Sequence, residues 1–191
     1  MTHQTALTVI AYTWEILGVI WLTGLAFTKR TVRSQPVGQR IFQLAAILVG
    51  FVLLGGEYLR GGWLGLKFIA TTPAIENLGV AITVAGCLFA IWARITLGSN
   101  WSGRATVKSG HELIIRGPYA IARHPIYTGI LTGAVGTGLA VAEWRCLLGL
   151  ALIALIFAAK IGQEEKLMMQ TFPEAYPRYR QRVKALIPGV L

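Results

Sequence analysis

Residues 126–161, IYTGILTGAVGTGLAVAEWRCLLGLALIALIFAAKI, hold two apolar runs, 126–142 and 146–161, separated only by Glu143, Trp144 and Arg145. So short a polar break leaves room for a turn and little else, and the stretch reads as a tight helical hairpin. Each run is short for a perpendicular crossing of a hydrocarbon core about 30 Å thick. The hairpin therefore enters a thin or distorted region of bilayer, or continues as helix beyond it, as the polar residues after Ile161 suggest. Gly129 and Gly133 form a GxxxG pair, followed by Gly136 and Gly138. Such a stripe lets another helix or a bound molecule approach the backbone closely.

Upstream, the segments 7–27, 41–59 and 78–97 are each long and apolar enough to cross a membrane. With 54% hydrophobic and 14% charged residues, the chain is too apolar for an ordinary soluble domain of its 191 residues. The expected fold is all-α and polytopic, with five transmembrane helices ending in the helical hairpin. Residues 1–97 form a three-span membrane region, and 98–191 a region of polar loop, hairpin and tail. No Lys or Arg precedes the first apolar segment, so it is expected to stay as an anchor and not to be cleaved as a signal peptide. Glu15 inside it must face the bundle interior or lie near the outer interface, where its side chain can reach water. The connection after the second span, with Gly61, Gly62 and Trp63, is expected along the outer interface.

A formal charge of +10 would suggest nucleic acid in a soluble chain. Here the charges sort by side instead: five spans put fifteen of the eighteen Lys and Arg on one side and only Arg60, Lys67 and Arg145 on the other. Basic loops stay in the cytoplasm, so the N-terminus is expected outside, and the C-terminus and the long loop before the hairpin inside. No nucleic-acid partner is expected. No metal is expected either: Cys87 and Cys146 lie within apolar segments without ligand spacing, and His3, His111 and His124 are scattered.

The reactive side chains gather just before the hairpin, in the stretch 116–129, RGPYAIARHPIYTG. Pro118 and Pro125 each push the preceding residue out of helical dihedrals, so His124 is the last extended residue before a helix that Pro125 opens. Arg123, His124 and Tyr127 then crowd a helix N-terminus, an end with partial positive charge that suits an anion. The hairpin turn returns the chain, which brings this end beside Lys160, Glu164 and Glu165. Lys160 and Glu164 are four residues apart and share a face. Glu165 is rotated by about 100°, which makes Glu164 the better candidate to face the loop. An ordinary ion pair of Glu164 with Arg123 or Lys160 at the membrane boundary is the competing reading. The cations, the acid and the rings of Tyr119, Tyr127 and His111 suit a zwitterionic ligand with an aromatic part. There is no Asp for a Ser-His-Asp triad, and no phosphate loop or dinucleotide fingerprint.

The ordered set Gly117-Pro118-Tyr119, Arg123-His124-Pro125-Ile126-Tyr127-Thr128-Gly129, Glu164-Glu165-Lys166-Leu167 and Phe172-Pro173-Glu174-Ala175-Tyr176 resembles the isoprenylcysteine carboxyl methyltransferase family of membrane enzymes. Parts of it are shared with phospholipid N-methyltransferases. The similarity runs from about Leu97 to Pro188. The resemblance implies S-adenosylmethionine bound between the loop, the hairpin and the tail, with a lipidic or prenylated acceptor reaching it sideways from the membrane lipid. It assigns His111, Leu113, Ile114, Tyr119, His124, Pro125 and Tyr127 to the cofactor, joined by Glu164 and Glu165, and puts acceptor binding at Lys160, while Arg123 either orients the acceptor or anchors the loop at the membrane surface. Where the family usually carries Arg, this chain has Lys160, which keeps the charge and loses the two-pronged guanidinium. The implied reaction is carboxyl O-methylation. Phospholipid amine N-methylation and a non-catalytic membrane scaffold are the alternatives.

Overall fold

The protein is described by a computed structural model covering residues 1–25, 31–34, 37–56, 59, 61–98, 106–108 and 113–187. Each of the five apolar segments forms a helix: α1 (His3–Leu25), α2 (Val37–Gly55), α3 (Pro73–Leu97), α4 (Pro125–Val141) and α5 (Trp144–Thr171). A short α6 (Ala175–Arg182) follows. Of these, α1, α2, α3 and α5 are long and apolar enough to cross a membrane, whereas α4, with 17 residues, falls short of that length. The hairpin halves are thus unequal. Helix α5 runs on past Ile161 to Thr171, as the polar residues after the apolar run suggested.

Local sequence explains the boundaries. Helix α3 begins where Thr72 caps it, its hydroxyl accepting from the Ile75 N–H at 3.3 Å, with Pro73 in the first turn. Helix α4 opens at Pro125 directly after His124, which at φ −121° and ψ 58° is non-helical without being the extended residue expected, and closes at Ala142, which takes the left-handed conformation at φ 55°. The turn to α5 is therefore only Ala142 and Glu143.

Helices α3 and α4 make the closest contact in the bundle. A Cβ on Gly86 would lie 2.4 Å from the Gly133 nitrogen and 2.6 Å from the Gly129 carbonyl, and one on Gly136 would lie 2.5 Å from the Gly79 carbonyl. The GxxxG pair is accounted for by helix packing. At the same seam Thr83 donates to the Gly79 and Gly133 carbonyls, and the Trp14 indole of α1 donates to Thr137 at 3.0 Å. Gly86→Ala should force the helices apart, at a cost of about 2 kcal/mol and a melting temperature lower by roughly 4–8 °C. Gly162→Ala, which meets nothing within 4 Å, should leave the melting curve in detergent where it is.

The two ends of the bundle differ. At one end the segment after α2 is stitched to the hairpin turn: Phe68 N–H donates to the Ala142 carbonyl at 2.9 Å and Trp144 N–H to the Leu66 carbonyl at 3.1 Å. Buried Arg145 pairs with Glu143 and donates to the Leu53 and Leu54 carbonyls at 2.9 and 3.1 Å. It thereby satisfies the last turn of α2. Trp63 is exposed at this end, and Glu15 lies on the exposed face of α1, outside the bundle interior.

The other end holds the polar loops. A two-stranded antiparallel ribbon joins β1 (Thr31–Ser34) to β2 (Thr106–Lys108), an addition to the all-helical expectation. It ties the loop after α1 to the loop after α3. Arg94, buried in the last turn of α3, donates to the Gly24 and Gly98 carbonyls at 2.8 and 2.9 Å, fastening the ends of α1 and α3 together. Cys87 and Cys146 are buried free thiols.

Candidate active site

The residues before α4 meet the C-terminal half of α5 at the looped end. A 3-10 turn over Gly117–Ala120 carries buried Tyr119, and Gly117 takes φ 60° with its Cα facing Thr96. Leu113 and Ile114 are half-buried in the segment leading into that turn. His111 lies outside the described residues. Pro125 is fully buried beneath the site.

His124 stands between two carboxylates. Its Nδ1 is 3.5 Å from Glu164 Oε2, and its Nε2 is 3.4 Å from Glu165 Oε1. The second contact is too poorly aimed for a hydrogen bond, so Nε2 is a buried polar atom without one. Burial pushes the imidazole pKa down. The two glutamates outweigh that, and the net value lies above the usual histidine range. His124 therefore keeps its proton where a free imidazole would have lost it.

The two glutamates have different neighbours. Tyr127 donates to Glu164 Oε1 at 2.6 Å, and its ring lies between His124, stacked at 5.7 Å, and Phe157, stacked at 4.4 Å. The Glu164 side chain keeps 22% of its surface exposed. Glu165 is held instead by Arg123, whose Nε and Nη2 donate to one carboxylate oxygen at 2.8 and 2.6 Å, and by Arg180 at 3.4 Å. The rotation between adjacent residues does not turn Glu165 away from the loop, because the loop wraps around α5 and meets both. Lys160, one turn earlier, is buried, and its charge acts on Glu164.

Arg123 also donates to the Val183 and Arg180 carbonyls. The backbone continues the contact: Arg123 and His124 N–H donate to the Lys184 and Ala185 carbonyls at 2.8 and 2.9 Å, and the Thr128 hydroxyl to that of Leu186 at 2.9 Å. The tail therefore lies as a strap across the start of α4 and takes up the His124 N–H expected to face an anion. Tyr176 and Tyr179, three residues apart, turn the inner face of α6 onto the loop. Burial pushes the Tyr179 hydroxyl up to about 12, which keeps it a donor, and it reaches the Tyr119 carbonyl at 2.6 Å. Of the expected site residues, Tyr127, His124, Glu164, Glu165 and Arg123 thus form one connected cluster. Arg180, Tyr179 and the tail carbonyls are additions. The only sequence signal for them is the pair of tyrosines at helical spacing in an otherwise basic segment.

A bundle of long apolar helices with a buried ionic cluster at one end defines an integral, multi-pass membrane protein. Residues 79–170 match the model of the isoprenylcysteine carboxyl methyltransferase (ICMT) family. Protein-S-isoprenylcysteine O-methyltransferase B of Arabidopsis thaliana is 31% identical over 119 residues, which cover 61% of this chain and 60% of that protein. The cobalt-zinc-cadmium resistance protein CzcN of Cupriavidus metallidurans is 29% identical over 143 residues, covering 74% and 61%. Among solved structures, the eukaryotic intramembrane Ras methyltransferase ICMT superposes with a TM-score of 0.57 at 24% identity, over 77% of this chain and 52% of that one. That likeness concerns the fold. The chain spans roughly half to three fifths of the length of these relatives.

Proposed function

We propose that the protein is a membrane methyltransferase that uses S-adenosylmethionine to esterify the carboxylate of a lipidic, prenylcysteine-like acceptor. The observation that carries this is the pairing, on one face of α5, of buried Lys160 with Glu164, the partly exposed acid that Tyr127 orients. A cation and an acid one turn apart suit an anionic acceptor beside a cationic donor. The match of residues 79–170 to the ICMT family model supports the same reading.

The residues present fit the donor. Glu164 offers a partly exposed carboxylate for the donor's cationic group, and His124 steadies that carboxylate from the side of the loop. Tyr119, Tyr127, Leu113 and Ile114 supply the apolar and aromatic lining, with Pro125 and Glu165 behind them. When bound, S-adenosylmethionine supplies an electrophilic methyl group and leaves as a thioether. The protein's own contribution is alignment and exclusion of water. A carboxylate acceptor is already ionised at neutral pH and needs no general base, only a cation to orient it, and Lys160 is so situated. Arg123 contributes by holding Glu165 and the tail. Charge sorting supports a site on the cytoplasmic side, with the N-terminus outside.

Membranes incubated with methyl-labelled S-adenosylmethionine should yield a lipid-soluble product that releases labelled methanol in base. A base-stable label would favour an amine acceptor instead. Purified protein should bind the donor, and His124→Ala should weaken that binding at least tenfold. No binding by either protein would favour a scaffold.

A further inference from the structure

In the seam between α2 and α5, Gln43 is buried at 4% exposure, and its Nε2 donates to Gln163 Oε1 at 3.3 Å. Apolar contact already holds these two helices together. Gly50 and Gly149 pack them so closely that a Cβ on either would fall within 2.6 Å of the other helix, and Leu54 and Ile153 fill the seam. Arg145 clamps the far end. Two carboxamides are therefore not required for adhesion, and hydrogen bonds between membrane helices add little, on average about 0.6 kcal/mol. Buried polar groups at membrane depth more often mark a path for substrate. These two lie at the level of the site, since Gln163 adjoins Glu164 and stands three residues after Lys160, on the neighbouring strip of α5.

We propose that Gln163 binds the acceptor carboxylate together with Lys160, and that Gln43 is the positioning residue that fixes the Gln163 amide. An ammonium is a point donor, whereas a carboxylate presents two oxygens. The bond from Gln43 engages the carbonyl oxygen of Gln163, so the NH2 group of Gln163 is the part that serves as a donor for the second oxygen. Lys160 and Gln163 together thus supply the two donors that one guanidinium would supply alone. The assignment rests on the carboxylate reading of the acceptor.

The test uses full-length protein in membranes, methyl-labelled S-adenosylmethionine and an N-acylated S-farnesyl cysteine, with Michaelis constants and melting temperatures read for each variant. Gln163→Leu should raise the acceptor KM about tenfold or more, as expected for a lost hydrogen bond to a charge, with the donor KM unchanged. Gln163→Glu should raise it further by repulsion. Gln43→Leu should raise the acceptor KM less and lower the melting temperature, because it leaves the half-buried Gln163 amide without that partner. The double variant Gln43→Leu/Gln163→Leu separates the alternatives: it should recover the melting temperature and keep the high acceptor KM. Recovery of both would make the pair an interhelical bond only and overturn the proposal. An active wild type with an unchanged acceptor KM in Gln163→Leu would overturn it while leaving the methyltransferase reading intact. A wild type that makes no base-labile product would remove both.

Discussion

Arg123→Ala is expected to lower folding stability by about 3 kcal/mol, the scale for removing one partner of a buried ion pair. It should also expose the chain after Arg182 to protease. Arg123 and Glu165 are nearly buried, with side-chain exposures of 7% and 11%, so the carboxylate left behind cannot recover its lost interaction from water. His124 and Arg180 remain beside it, which keeps the loss toward the lower end of the range. The same guanidinium holds the Val183 and Arg180 carbonyls, so the strap should loosen with the ion pair. Arg123→Lys should restore little, since a single ammonium cannot address a carboxylate and two carbonyls in a fixed plane. Melting temperature and limited proteolysis of detergent-purified protein read both effects. Loss of methylation with an unchanged melting temperature and a protected tail would return Arg123 to the chemistry.

The second large effect separates the paired acids. Glu164→Gln is expected to weaken S-adenosylmethionine binding by about tenfold to a hundredfold, the loss for a hydrogen bond or ion pair to a charged group. The melting temperature should hardly move. Glutamine can still accept from Tyr127 while lacking the charge, and the position is partly open. Glu165→Gln should show the opposite pattern, a lower melting temperature with donor binding reduced less, because that carboxylate is held by Arg123 and Arg180. Equal loss of donor binding in both variants would argue against this division of labour.

Much of the architecture was legible from the sequence because apolar length and proline position act locally. The hairpin, its turn at Glu143 and the start of α4 at Pro125 all appear where the residues 126–161 put them. The site was legible in composition but not in wiring. Helical rotation alone favoured Glu164 over Glu165, whereas the loop preceding α4 curls around α5 and engages both. The strap was invisible because its contacts use the carbonyls of Val183, Lys184, Ala185 and Leu186, which every residue type possesses. The ribbon was missed for a related reason, since strands of four and three residues carry too little alternation to stand out. Gln43 carries no local signal, because the partner that gives it meaning lies 120 positions away.

The strap also gives the site a place in time. A ribosome releases Arg123 well before Val183, 60 residues downstream. At about 5–20 residues per second the loop waits roughly 3–12 s for the carbonyls that close it. Helices α1 to α3 are synthesised before that interval, and α4 and α5 during it. The ionic cluster is thus closed by the tail only after the membrane-embedded part has been made.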